Sequence, residues 1–240
     1  MNFFDQSEYN IRCEWGEEGV KALAPISDVV IIVDILSFST SVDLIVSKGG
    51  TAYPYRWNDD SAGDYARSVD AELAGPQNPN GFSLAPTTLE NIPENLSIVL
   101  PSPNGSTITL LAQESIVLAG CLRNCRAVAE TAMGFGKNIA VVPCGERWSQ
   151  NNSLRPGLED FIGAGAAIRF LEGSRSPESE AALTTFTSFE DSLFGTISRC
   201  GSGKEKLSKN KERDVFLASQ FNVSHYAPRL IDGAYRANPE

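Results

Sequence analysis

Four short turns in this sequence carry side chains able to bind or transform an anion. Asp34 follows the β-branched run VVIIV (29–33) and precedes the hydroxyl-rich SFST (37–40). A carboxylate at the end of so apolar a segment is partly withdrawn from water and calls for a cation or several hydrogen-bond donors. SPNGST (102–107) combines Asn104, a glycine at 105 that lets backbone approach a ligand, and the hydroxyls of Ser106 and Thr107. The helix expected to follow points free N–H groups at whatever sits there. Ser39 and Thr40 offer the same chemistry beside Asp34, and for both segments a plain N-cap is the structural alternative. GCLRN (120–124) supplies Arg123 and Asn124 as anion contacts. PCGERW (143–148) sets Glu146, which suits a divalent cation or a water, beside Arg147, which suits a phosphate or carboxylate. Its continuation LRPGLED (154–160) brings Arg155 and then Glu159 and Asp160 at a helix start, where capping accounts for part of the acidic pair.

Carboxylates, arginines and hydroxyl-rich helix starts together suit a hard divalent cation and a small anionic, phosphorylated molecule. Other chemistries lack their residues. The chain has one histidine, His225, with no motif around it, and five cysteines without a zinc or disulfide spacing, so reduced thiols are expected. Neither G-x-x-x-x-G-K-[ST] nor G-x-G-x-x-G occurs, which argues against nucleotide hydrolysis and a standard dinucleotide site. A formal charge of −10 over 240 residues disfavours non-specific binding of nucleic acid or membrane. No basic leader with an apolar run opens the chain, and VVIIVDIL is too short to span a bilayer, so a cytoplasmic protein is expected. Asp43 is expected to face solvent from its helix and is set aside. Cys144 reads as a buried core residue in preference to a nucleophile.

The elements that must hold these turns alternate. EYNIRCEW reads as a half-exposed strand, VVIIV as a strand buried on both faces, and SFSTSVDLIVSKGG as a helix capped at Ser37 or Ser39 and ended by Gly49 and Gly50. TAYPYRW and SAGDYARSVDA repeat the pattern. Residues 74–95, with four prolines and little periodicity, form a surface loop long enough to suspect a function. Three further units follow: SIVLPS with NGSTITLLAQE, SIVLAG with LRNCRAVAETAMG, and NIAVVPC with LEDFIGAGAAIRFLEG. The prediction is an α/β fold, three-layer α/β/α with a mostly parallel or mixed sheet, in one domain over 1–240. In a parallel sheet the turns named above gather at the carboxyl edge. The charged C-terminal segment SGKEKLSKNKERDVFLASQF reads as the solvated face of helices, and APRLIDGAYR as a last strand or hairpin. The edge strand near residues 9–15 is available to a homodimer.

Five segments in order, VVIIVDILSFSTSVDLIVSKGG, LPSPNGSTITL, LAGCLRNCRAVAE, VPCGERW…LRPGLEDFIGAGAAI and DVFLASQFNVSHYAPRLIDGAY, resemble the 2-phosphosulfolactate phosphatase family from about residue 28 to the C-terminus. The resemblance implies a magnesium-dependent phosphohydrolase of α/β/α architecture that converts 2-phosphosulfolactate to sulfolactate on the coenzyme M route. Asp34 matches the family's first strand-end aspartate, Asn104 and Gly105 its Asn-Gly turn, Asn124 its helix-start asparagine, and Glu159 and Asp160 its Glu-Asp pair. The chain departs at Ser37, where many members carry arginine. It departs again in the loop, which keeps Gly81 and Phe82 but has Ser83 where many members carry aspartate.

On this reading Mg²⁺ is held by Asp34 with one or more of Glu146, Glu159 and Asp160, while Arg147, Arg155 and the start of the helix at 104–107 bind phosphoryl oxygens. Asp34 lacks the D-x-D partner of haloacid-dehalogenase-type phosphatases, Leu36 standing there, so water activated by the metal is preferred to covalent attack. Two rivals remain: a Cys144-dependent hydrolase similar to the isochorismatase-like group, and a binding protein that kept the fold without turnover.

Overall fold

The computed structural model describes residues 4–57 and 59–238. Its described residues form a nine-stranded mixed sheet with helices on both faces, as the alternation predicts. Four parallel strands make the first block: β1 (Ile11–Cys13), β2 (Val29–Val33), β6 (Ile116–Gly120) and β7 (Ile139–Pro143). They lie in the order β1-β7-β2-β6. The second block holds β3 (Thr51–Tyr55), β5 (Ser97–Pro101) and the short β4 (Glu72–Leu73), also mutually parallel. Between the blocks sits the hairpin of β10 (Pro228–Ile231) and β11 (Ala234–Ala237), antiparallel to each other and to both neighbours. Three antiparallel steps in succession leave the second block running against the first. The C-terminal hairpin foreseen in APRLIDGAYR is thus a central piece of the sheet.

Strand β2 shows why a continuous β-branched run suits this place. Val29, Ile31 and Val33 enter one core and Val30 and Ile32 the other, all fully buried. The first core is closed by α6 (Cys125–Phe135), α7 (Leu158–Ile168), α8 (Pro177–Phe189), α9 (Leu193–Arg199) and α11 (Glu212–Ser219). The second is closed by α1 (Gly16–Leu23), α2 (Phe38–Val46), α4 (Pro86–Leu89) and α5 (Gly105–Leu111), and includes Ala52, Ile98 and Leu100 from the reversed block. The remaining helices are α3 (Asp60–Ser68), on β4 and β5, and α10 (Gly201–Ser208), between α9 and α11. Helices α7 and α8 approach closely enough that a Cβ at Gly165 would lie 2.0 Å from the Ala182 carbonyl oxygen.

Two expectations are corrected here. Residues Ile11–Cys13 are fully buried, although EYNIRCEW alternates. Their edge is closed by the chain itself. Ile11 donates its N–H to the Ser174 carbonyl and accepts at its own carbonyl from Ser176 N–H and the Ser179 hydroxyl, and the Gln6 side chain both donates to and accepts from the Cys13 backbone. With its hydrogen-bonding groups engaged, this edge is not available to a homodimer by strand pairing. The loop over residues 74–95 is tethered by the Ser41 hydroxyl on Leu84 O and by Thr87 N–H on Asp214, which tie it to α2 and α11.

Candidate active site

Strand β2 delivers Asp34 to the carboxyl edge of the first block, almost wholly buried. Its carboxylate accepts the Phe38 N–H at the start of α2, at 3.1 Å, and the Gly105 N–H at the start of α5. Gly105 therefore does permit a close approach, although the neighbour is internal: a Cβ there would lie 2.4 Å from the Phe38 ring. The anion held by the SPNGST turn is Asp34 itself. This turn belongs to the reversed block. Sheet twist accumulates roughly 20–25° per strand, and α5 packs on α1, α2 and β2, so the turn reaches the edge of the first block nonetheless.

Three more carboxylates close in. Glu146, half-buried, accepts from Asn104 Nδ2 at 3.0 Å through Oε2. Asp160 spans the edge, its Oδ1 accepting Ile35 N–H and its Oδ2 Gly145 N–H, each at 2.8 Å. Glu159 is buried and accepts the Cys200 thiol at 3.2 Å. Burial, reinforced by Glu146, pushes Asp34 up to about 7. Burial with Glu159 and Asp34 nearby pushes Asp160 well above the usual carboxylate range, and burial with Glu159 raises Glu146. Four carboxyl groups lie here, and burial and like charge raise the proton affinity of Asp34, Glu146 and Asp160, so the site favours added positive charge.

The cations come from the β8–β9 ribbon and from α10. Glu146 and Arg147 form β8 (Glu146–Arg147), paired antiparallel with β9 (Leu154–Arg155), and Glu146 stands opposite Arg155. Successive strand residues point to opposite faces and opposite pairs share a face. Arg155 therefore accompanies Glu146, on which its charge acts, whereas Arg147 turns outward to Glu17 and the Asn152 carbonyl. Arg147 also lines a small pocket with Asn104 and Cys144. Arg155 Nη2 donates to the Ser202 hydroxyl at 2.9 Å. Four residues along α10, on the same helical face, Lys206 Nζ donates to the buried Ser37 Oγ at 3.1 Å, and its charge acts on Asp34. Lys206 lies in the charge run expected to be solvent-facing, and the sequence holds no motif that singles it out.

Several candidate binding side chains are engaged elsewhere. The Ser39 hydroxyl accepts Asp34 N–H and donates to Ile32 O, Thr40 donates to Ile35 O, and Ser106 donates to Leu100 O. Asn124 accepts from Cys121 N–H and donates to Ala119 O, closing the turn after β6. Arg123 pairs with Asp43 at 2.8 Å and reaches Gln220. Asp43, expected in solvent, is fully buried and also accepts the Ser224 hydroxyl. Thr107 is half-buried beside Ser106, and His225 is exposed. Cys144 is buried, and both burial and the surrounding carboxylates raise its thiol far above the range of a nucleophile, which removes the support for thiol catalysis.

The model of the 2-phosphosulpholactate phosphatase family matches residues 18–233. The chain belongs to that family. Among its relatives is the 2-phosphosulfolactate phosphatase of Methanothermobacter thermautotrophicus, 29% identical over 211 residues that cover 86% of this chain and 88% of the relative. The probable 2-phosphosulfolactate phosphatase of Gloeobacter violaceus is 24% identical over 214 residues, 84% of this chain and 88% of its own. That of a Synechococcus strain is 27% identical over 209 residues, 81% and 84%. The family is named for a phosphoric monoester hydrolase, and the match spans every turn that builds the carboxylate cluster.

Proposed function

We propose that this protein hydrolyses a small anionic phosphate monoester with the aid of Mg²⁺, the family name pointing to 2-phosphosulfolactate, which gives sulfolactate and phosphate. The observation that carries this reading is the convergence of Asp34, Glu146, Glu159 and Asp160 beside Arg155 at one sheet edge.

The donors are all hard oxygens, which suits magnesium. Among the described residues no three acidic, histidine or cysteine side chains are gathered to hold a metal, so Asp34, Glu159 and Asp160 are not a ready-made ligand set. Mg²⁺ commonly takes only one or two carboxylates, with water and substrate phosphate completing its shell. Asp34 and Glu146, whose charges oppose each other directly, fit that smaller set. When bound, the ion would polarise the phosphoryl group and neutralise developing charge. Asp160, with both oxygens committed to backbone N–H groups, positions the strand ends instead.

The chain's own residues divide the remaining work. Arg155, steadied by Ser202, presents its guanidinium to the non-bridging phosphoryl oxygens. Glu146 is oriented at Oε2 by Asn104, leaving Oε1 to align the attacking water. Asp34 is pinned by two backbone N–H groups, and its proton affinity near neutrality makes its charge state responsive to a bound cation. Phosphate release from a panel of monoesters, with and without Mg²⁺, tests the proposal. Release that chelator abolishes is expected; release indifferent to chelator would refute the metal's part, and no release from any monoester would leave a binding protein.

A further inference from the structure

Lys206 is a half-buried ammonium with an unusual environment for this protein. Nearby cations sit on carboxylates, Lys209 on Glu205, Arg147 on Glu17 and Arg123 on Asp43. Among the described residues Lys206 has no carboxylate oxygen within 4.0 Å, and its Nζ donates to the neutral Ser37 hydroxyl. An ammonium has three donors and Ser37 takes one. A half-buried charge with donors to spare stands beside Asp34, which is already bonded to the Phe38 N–H, and Asp160, whose two oxygens hold backbone N–H groups, and can take an anion brought from outside.

The position of this charge is specific. Lys206 meets the start of α2 at Ser37. It shares one face of α10 with Ser202, which holds Arg155. One helix thus positions both cations that lie among the carboxylates, Arg155 indirectly and Lys206 directly. A substrate with a phosphate and a second acidic group presents two anionic ends to match them.

We propose that Lys206, aligned by Ser37, is the specificity residue that takes the second acidic group, carboxylate or sulfonate, of the monoester, while α10 steadies Arg155 through Ser202. The inference rests on the phosphatase reading for its substrate, though not for the binding itself. It requires that loss of the ammonium be felt by acidic substrates far more than by neutral ones.

The test uses the full chain with 2-phosphosulfolactate, 2-phospholactate and the neutral-tailed p-nitrophenyl phosphate, alongside Lys206→Ala, Lys206→Arg and the double variant Lys206→Ala with Ser37→Arg. For Lys206→Ala, KM for the two acidic substrates should rise about tenfold or more, the range of a lost hydrogen bond to a charged group, with kcat changed far less. The aryl phosphate should lose much less in kcat/KM. Lys206→Arg should retain the preference, and Ser37→Arg should restore part of it by returning a cation to the same place. Equal losses on acidic and neutral substrates, or no loss on either, would overturn the proposal. If the unaltered protein hydrolyses none of the three, the phosphatase reading fails alone. Calorimetric titration with sulfolactate then decides the inference, since weaker binding by Lys206→Ala supports it and unchanged or absent binding sinks it. Thermal unfolding of each variant separates these outcomes from misfolding.

Discussion

Two buried aspartates on neighbouring stretches of chain meet opposite fates. Asp43, inside α2, is fully buried against Arg123 and the Ser224 hydroxyl; burial raises its proton affinity while those partners pull it back. Asp34, just before α2, is buried against backbone N–H groups and another carboxylate, and is pushed up to about 7. The first site is closed, each ion answered within the fold. The second holds negative charge in excess. Internal balance marks a structural pair, whereas unrelieved like charge at a sheet edge marks a place kept for a cation and an anionic ligand.

The sharpest way to break this contrast is to neutralise each aspartate in turn. Asp34→Asn should lower phosphate release by about 10²–10⁴-fold, the range for a positioned catalytic carboxyl, while the protein stays folded. Retention of wild-type turnover would remove Asp34 from the site. Asp43→Asn should do the reverse. Leaving Arg123 without its buried partner costs about 3–5 kcal/mol of stability, visible in chemical denaturation, with kcat of the remaining folded protein little changed. A catalytic defect without destabilisation would overturn the structural role.

The next effect concerns pH. A carboxyl whose affinity rises from an ordinary value to about 7 on folding leaves the native state holding more protons than the unfolded chain between those values. The stability it contributes is complete in acid and falls away as pH rises through about 7. Asp34→Asn should therefore gain stability over the wild type at pH 8, by about 1–3 kcal/mol, and show little difference near pH 4. Denaturation at the two pH values measures this, and an equal shift at both would contradict it. Added Mg²⁺ should narrow the gap by stabilising the wild type alone.

Smaller effects bound the site. Cys144→Ser should leave turnover near normal, because the thiol is buried and held protonated; loss of turnover in a stable protein would restore the thiol mechanism. Arg147→Met, which breaks a partly exposed pair with Glu17, should change stability by no more than about 1 kcal/mol and leave kcat/KM nearly intact. A large fall in kcat/KM would show that Arg147 faces the substrate.

Much of this was legible in the linear chain because it depended on local pattern. A run of five β-branched residues makes a strand buried on both faces, and the polar residue that ends it must lie at a sheet edge. The same reasoning located Asp34, Glu146, Arg155, Glu159 and Asp160, with Asn104 and Gly105, near one another. What stayed hidden depended on which way side chains face once distant segments pair. Hydroxyls of Ser39, Thr40 and Ser106 looked like ligand contacts and are instead bonded to their own backbone, since a buried turn must first satisfy its own carbonyls and N–H groups.

The sequence by itself determined the strand-and-helix alternation, the carboxylate at the end of β2 and the family to which the chain belongs. Tertiary structure decided the rest. The C-terminal hairpin entered the middle of the sheet and reversed one block, the pairing of Glu146 with Arg155 turned Arg147 away, and α10 brought Lys206 out of a charge run to Ser37. Periodicity is written over a few residues and survives any context. The direction of a strand and the facing of a charge are set by partners 169 and 181 positions away along the chain, and only the folded molecule brings those partners together.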